Sequence, residues 1–153
     1  MNNFENSSAM SVPRDLSHGS SSVVSSAIAL KPLTLDVPAG VDITNWVATF
    51  SNTNKLCISV LGGFGKVSEA SLSNLVSQGP PLLYREHLTV INLSGTYIFS
   101  PLAEGCPFPF NCLLTRVNGE VISGAALRMV TMGKVVLRGY VFQNPEIFKA
   151  QLH

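Results

Sequence analysis

Charged side chains are scarce in this sequence, and their scarcity argues against one broad class of function. Asp, Glu, Lys and Arg make up 12% of the 153 residues, whereas about a quarter is usual in soluble domains. The formal net charge is only +1, and the cations are scattered singly along the chain. A domain that binds nucleic acid on its own usually carries a dense basic patch, because phosphate contacts supply much of the affinity. With 46% hydrophobic residues, part of the apolar surface is expected to be covered by another chain.

Long apolar runs and paired cysteines are also missing. No run approaches the length of a membrane-spanning helix, and the serine-interrupted N-terminal segment does not match a secretory signal. The three cysteines, Cys57, Cys106 and Cys112, are an odd number and do not indicate a disulfide framework. These features favour a reducing, intracellular compartment.

Catalytic and metal-binding motifs are absent as well. His18, His87 and His153 are far apart, and no zinc-protease or nucleophile-elbow motif accompanies them. Cys106 and Cys112 share one loop, but a structural zinc site needs four ligands at suitable spacing. The carboxylates show no paired partner for acid–base work. We therefore predict no catalytic residue, no cofactor and no metal site, and nothing argues for an enzyme.

The first third of the chain contains a tail, a strand and a helix. Residues 1–30 are rich in Ser and Asn, which predicts a disordered tail before one domain over residues 31–150. Leu33, Leu35 and Val37 alternate with polar residues and predict a strand. Asp42 is the expected N-cap of a helix, and the polar residues 51–54 are its expected end. The core face of this helix is predicted to consist of Ile43, Trp46, Val47 and Phe50, which lie at helical spacing.

Residues 56–73 combine a β-branched apolar run with a cluster of three glycines. The pattern predicts a buried strand, a tight turn at Gly62, Gly63 and Gly65, and a returning strand. The glycine spacing does not match a dinucleotide-binding motif, and Lys66 is followed by Val67 instead of Ser or Thr. Phosphate binding is therefore not favoured here.

The remainder of the chain indicates further strands. Loops are expected at residues 78–81 and 100–111, and Asn118-Gly119 is a strong hairpin signal because both residues tolerate positive φ. The expected strands are Leu88 to Leu93, Leu113 to Val117, Val121 to Leu127 and Val135 to Phe142. The prediction is an α/β (α+β) fold: a single compact domain with a mostly antiparallel sheet and one or two helices packed on it.

Arg138-Gly139 is similar to part of the Arg-Gly-Arg cores that enter the narrow minor groove of A·T-rich DNA. The next residue is Tyr140, and apolar residues surround the pair. A strand with a close-packed glycine is the better interpretation.

Taken together, the chain resembles the plant-and-prokaryote-conserved (PPC, DUF296) domain of the plant AT-hook motif nuclear-localised proteins. The resemblance implies a compact α/β domain that forms homomeric or mixed trimers and recruits other nuclear proteins. In such proteins a separate AT-hook, built around Arg-Gly-Arg-Pro, binds A·T-rich DNA. The matching stretches cover most of residues 31–148 and are Pro32–Ile43 with the following helix, Leu56–Leu72, Val90–Gly95, Val117–Ala125 and Gly139–Phe142.

Three departures from the family pattern bear on function. Residues 1–30 contain one arginine and no Arg-Gly-Arg-Pro, so DNA binding is expected to be indirect, through hook-bearing partners. Residues 51–54, Ser-Asn-Thr-Asn, stand where the family commonly has arginines. The family's partner-recruiting hexapeptide, Gly-Arg-Phe-Glu-Ile-Leu, aligns with the partner-interaction candidates Glu86, His87, Leu88, Thr89, Val90 and Ile91.

Two functions follow as hypotheses. The first is a nuclear oligomerisation and protein-interaction module that forms trimers with itself or with related PPC-domain proteins, contacts nuclear transcription factors and does not bind membranes. Its expected interface strands are Leu88 to Leu93 and Val135 to Phe142. The alternative is an autonomous regulator that binds the minor groove of A·T-rich DNA. A small-ligand or enzymatic role in a cleft between subunits is a third hypothesis, which the scattered histidines do not support.

Overall fold

The computed structural model describes residues 29–74, 79–100 and 110–144, and it shows one helix and six strands there. Residues 1–28 of the predicted tail, including His18, lie outside these ranges, as do Cys106, His153 and most of the predicted loop at residues 100–111. In chain order the elements are β1 (Lys31–Val37), α1 (Ile43–Asn54), β2 (Cys57–Ser73), β3 (Leu82–Tyr84), β4 (Leu88–Tyr97), β5 (Phe110–Arg116) and β6 (Val121–Phe142).

All strand pairings are antiparallel, and four strands close a circuit. β2 pairs with β4, β4 with β5, β5 with β6, and β6 again with β2, while β1 and β3 are added at the two ends of the sheet order. The predicted fold class, a mostly antiparallel sheet with a helix packed on it, is confirmed. A closed circuit leaves few unpaired strand edges in the middle of the molecule.

The helix begins and packs as its sequence predicts. Asp42 is the N-cap, and its carboxylate accepts hydrogen bonds from the Thr44 backbone N–H (3.3 Å) and hydroxyl (2.8 Å). Ile43 and Val47 are buried, whereas Trp46 and Phe50 are partly buried and their rings stack 5.8 Å apart.

The helix ends at Asn54, the last residue of the predicted polar stop at residues 51–54, and it includes the other three. Ser51 is fully buried, and its hydroxyl donates to the Leu56 carbonyl, so this polar residue belongs to the helix interior. Lys55 terminates the helix in the left-handed conformation, with φ of 56°.

The glycine cluster is not a turn, and this prediction is wrong. β2 runs without interruption from Cys57 to Ser73, with register shifts on either side of the cluster. A Cβ at Gly63 would lie 3.1 Å from the Leu137 side chain, and one at Gly65, where φ is 141°, would lie 2.8 Å from Val135. Gly63 and Gly65 therefore let β2 approach β6 closely, while Gly62 lies at the first register shift with free space at its Cβ position.

The last two predicted strands form one element. β6 is continuous for 22 residues, because residues 128–132 pair with β2 instead of forming a loop. The short strand β3 was not predicted. The Asn118-Gly119 hairpin is present between β5 and β6, but only Gly119 adopts a positive φ (89°). It is a three-residue loop with glycine at the left-handed position.

The core lies inside the strand circuit and beneath α1. Its side chains come from every element except β3, which contributes only the partly buried Tyr84 at the margin. The largest fully buried side chains are Ile43, Ile58, Leu88, Leu93, Leu114, Met129 and Leu137.

Candidate protein-interaction surface

The predicted partner-recruiting segment divides between the core and the surface. Leu88 and Val90 are buried, so they support the fold and do not present side chains to a partner. Thr89 and Ile91 are exposed on the other side of β4, and His87, the residue before β4, is exposed as well. Within this segment, the exposed alternate positions are the ones that can contact another protein.

Glu86, at the start of the segment, is held in an ion cluster. The Arg116 guanidinium donates to both Glu86 carboxylate oxygens, at 2.9 and 3.0 Å, and to Glu120 at 2.7 Å. It also lies 5.7 Å above the ring of Tyr84. The hydrogen bonds from Arg116 lower the pKa of Glu86, and those to Glu86 and Glu120 raise the pKa of Arg116. The cluster fixes the chain entering β4 against the β5–β6 hairpin.

An apolar patch lies on the outer side of the sheet, away from the core. Leu61 and Phe64 of β2 are 58% and 57% exposed, Ile91 of β4 is 48% exposed and Tyr140 of β6 is 37% exposed. Phe64 precedes Gly65, which pairs with Val90, and Ile91 follows Val90, so Phe64 and Ile91 occupy adjacent positions across β2 and β4. We call the four side chains Leu61, Phe64, Ile91 and Tyr140 the outer apolar face.

A hollow of about 340 Å³ adjoins this face. Gly139, Leu61 and Tyr140 form part of its wall. The Arg138 guanidinium lies 5.5 Å above the Phe64 ring, which joins the hollow to the outer apolar face. The hollow is lined by Pro32, Leu33, Thr34, Leu61, Arg138, Gly139 and Tyr140.

The sequence indicated part of this surface and missed the rest. Each of the two predicted interface strands supplies outward residues to it, Ile91 from β4 and Arg138 and Tyr140 from β6. Leu61 and Phe64 were missed, because the glycines beside them suggested a turn. Two large apolar residues flanking Gly62-Gly63 are the available signal, since neighbours without side chains cannot cover them.

The positive charges of the described residues do not form a basic patch. Several of them have a carboxylate oxygen within 4.0 Å: Arg85 and Arg128 contact Glu69, Arg116 contacts Glu86 and Glu120, and Lys134 contacts Asp36. Local pairing of this kind weakens the attraction of a surface for a polyanion.

The described residues offer no obvious place for a metal or a reactive thiol. No group of three or more His, Cys, Asp or Glu side chains among them could hold an ion. Burial raises the pKa of the Cys57 thiol and raises that of Cys112 to about 11, so both stay protonated near neutral pH. The helix in the described part of the chain lacks the length and apolar character needed to span a membrane.

Comparison with known proteins gives a family match over most of the chain. The model of the Plants and Prokaryotes Conserved (PCC) domain, the domain also abbreviated PPC, matches residues 24–139. The chain is 24% identical over 117 residues to AT-hook motif nuclear-localized protein 20 of Arabidopsis thaliana, covering 76% of this chain and 41% of the relative. It is 27% identical over 120 residues to AT-hook motif nuclear-localized protein 23 of the same plant, covering 78% and 41%. The chain thus spans about two fifths of the length of these curated relatives.

A similar fold is found in a solved structure. The plant- and prokaryote-conserved (PPC) protein of Pyrococcus horikoshii superposes with a TM-score of 0.63 at 13% sequence identity, over 77% of this chain and 83% of that protein. At this identity the similarity establishes the fold alone.

Proposed function

Because this chain belongs to the Plants and Prokaryotes Conserved (PCC) domain family, we propose that it is a nuclear oligomerisation and protein-interaction module. It is related to the AT-hook nuclear-localized proteins and acts through trimers, formed with itself or with related chains. The nuclear location rests on the names of its Arabidopsis relatives.

The outer apolar face is the observation that carries this proposal. Leu61, Phe64 and Ile91 are large side chains on β2 and β4, each about half exposed. Several such side chains side by side are unusual on a monomer and typical of a protein–protein contact. The low charge of the whole chain points the same way.

Assembly gives such a chain a regulatory consequence through avidity. The 153 residues contain no Arg-Gly-Arg-Pro sequence. A mixed trimer in which this chain replaces a hook-bearing relative has one fewer minor-groove reader. Because linked binding elements raise each other's effective concentration, losing one reader weakens binding to DNA without altering any single contact.

Recruitment of further nuclear proteins belongs to the same proposal. Thr89 is exposed on β4 near Ile91, and His87 is exposed just before β4, where the family's recruiting hexapeptide aligns. Transcription factors are the expected partners, and these side chains are the expected contacts.

Absolute mass in solution tests the assembly. Multi-angle light scattering of the purified chain is expected to give three times the monomer mass, and Leu61→Asp is expected to give the monomer. Leu82→Asp is the matched control, because Leu82 is also an exposed strand leucine (61% against 58%) but lies on β3, which pairs with residues 70–72 at the far end of β2 from Leu61. A monomeric wild-type chain at micromolar concentration would reject the proposal.

Mixed assembly is tested separately. Co-expression with a hook-bearing relative, followed by native mass measurement, is expected to give trimers that contain both chains. Separate homomeric species alone would reject the mixed-assembly part and leave self-assembly standing.

The autonomous DNA-binding alternative makes a different prediction. It requires tight binding of the purified chain to A·T-rich duplex, with an affinity that falls steeply as salt is raised. The carboxylates beside Arg85, Arg116, Arg128 and Lys134 argue against it. A gel-shift series across salt concentrations separates the two functions.

A further inference from the structure

We propose that the hollow beside Arg138 receives the tip of the β5–β6 hairpin of a second copy, with Val117 seated in the hollow and Glu120 paired with Arg138. This inference rests on the proposed self-assembly and specifies its contact. The contact is head-to-tail, because the hairpin tip of one copy meets the hollow, a different patch, on the next copy.

The tip of the β5–β6 hairpin presents an exposed apolar side chain on a hydrogen-bonded loop. Val117 is 82% exposed, the highest exposure among the large hydrophobic residues described. Hydrogen bonds hold the loop around it: the Arg116 N–H donates to the Glu120 carbonyl at 2.8 Å, and the Gly119 N–H donates to the Arg116 carbonyl at 2.9 Å. The Glu120 N–H donates to the Asn118 side chain, also at 2.9 Å. A loop that is already rigid loses little conformational entropy on docking.

The charges of the two patches are complementary. At the tip, Glu86 and Glu120 share the single guanidinium of Arg116, so the cluster has one negative charge in excess. The Glu120 side chain is 55% exposed and can accept from a second guanidinium. At the hollow, Arg138 is the charged residue of the lining, and it forms no salt bridge with a described carboxylate.

The positions of the two patches suit a closed ring. The hairpin immediately precedes the start of β6 at Val121, whereas the hollow lies near its other end, at residues 138–140. No hairpin residue lines the hollow of its own chain. Contacts between two different patches are heterologous, and they generate rings when the rotation between copies closes, as in a trimer.

Charge reversal of the full-length chain tests this pairing. Glu120→Arg and Arg138→Glu are each expected to weaken association roughly tenfold or more, because each places like charges together. The double variant restores the pair in reversed order and is expected to associate within about threefold of the wild type. Sedimentation equilibrium measures all four proteins, and circular dichroism verifies that each is folded.

Two further variants make the test specific. Val117→Ser removes the apolar side chain from the hollow without changing any charge and is expected to weaken association by a similar factor. Lys134→Glu is the control, because Lys134 lies on the same strand as Arg138 and contacts only the exposed Asp36, at 3.7 Å. It is expected to associate like the wild type.

The outcomes separate this inference from the proposed function. If the wild type assembles and the single reversals assemble equally well, the head-to-tail contact is wrong and self-assembly stands. If Arg138→Glu alone disrupts assembly while Glu120→Arg and Val117→Ser do not, the hollow holds a different occupant and the inference is overturned. A monomeric wild type overturns both.

Discussion

At the scale of single residues, Gly139 shows how closely β6 approaches β2. A Cβ at this position would lie 1.8 Å from the Ser59 carbonyl oxygen, which is backbone and cannot rotate away. We expect Gly139→Ala to destabilise the protein by about 3 kcal/mol, because the two strands must separate to admit one methyl group. The midpoint of urea unfolding measures the change.

Gly62→Ala is the matched control for that substitution. Gly62 lies on the partner strand, and nothing stands within 4 Å of its Cβ position. Its unfolding midpoint is expected to stay near that of the wild type. Equal midpoints for the two alanine variants would contradict the close approach of β6 to Ser59.

Single residues also show where sequence-based prediction stops. The sequence identified Arg138-Gly139 as part of a strand with a close-packed glycine, and the structure places Gly139 against Ser59. It could not identify the contact of Arg138 with Phe64, because the two residues are far apart in the chain and meet only through the pairing of β2 with β6. The alternation along residues 88–91 predicts that Leu88 and Val90 face the core while Thr89 and Ile91 face outward. It does not reveal which partner covers the outward residues.

At the scale of elements, Asp42 ties the start of α1 to β6. Its carboxylate accepts the Thr44 N–H and, at 2.9 Å, the Met129 N–H. We expect Asp42→Ala to cost about 2 kcal/mol, from the lost cap and the unpaired Met129 donor. Asp36→Ala removes an exposed aspartate from β1 and is expected to cost less than about 0.5 kcal/mol. Urea unfolding of both variants checks the difference, and equal losses would contradict the capping role.

The Glu86–Arg116 pair predicts a pH dependence of stability. Arg116 lowers the pKa of Glu86 in the folded protein, so folding gains stability above the ordinary glutamate pKa of about 4.3. That gain is lost as the pH falls through the lowered value. The unfolding midpoint of the wild type is therefore expected to fall more steeply than that of Glu86→Gln below about pH 4.3.

Arg116→Gln is the companion variant, since it removes the donor and leaves the carboxylate. It is expected to give the same shallower acid dependence as Glu86→Gln. If the unfolding midpoints of both variants fall with decreasing pH as steeply as that of the wild type, the Glu86–Arg116 pair does not couple protonation to folding.

The elements also show why local signals succeeded for the helix and failed for the glycines. Asp42 and the apolar spacing from Ile43 to Phe50 act within one helix, so the sequence alone fixed its start. Gly63 and Gly65 resemble a turn locally, but their role is set by Leu137 and Val135 on a strand much later in the chain. The sequence pattern likewise left residues 128–132 in a gap between two predicted strands. The reason is that β2, with which these residues pair, was itself divided by the predicted turn.

At the scale of the whole molecule, assembly predicts that thermal stability depends on protein concentration. When copies bind the folded state only, mass action raises Tm as concentration increases. We expect the wild-type Tm to rise by a few degrees over a hundredfold range, whereas Leu61→Asp stays constant. Differential scanning calorimetry measures it, with Leu82→Asp expected to follow the wild type. A concentration-independent Tm in the wild type would contradict assembly through Leu61.

The continuity of β6 has a consequence for biosynthesis. This strand pairs with β1, β2 and β5. Among the described strands, β1 gains its first neighbour only from residues 121–142, and β2 and β5 gain a partner on their second edge. A nascent chain that stops short of Val121 can pair β2 with β3 and β4, and β4 with β5, but it leaves β1 and one edge of both β2 and β5 without a partner. We expect the domain to complete its folding only after residues 121–142 have been synthesised, and the open strand edges make earlier intermediates prone to aggregation.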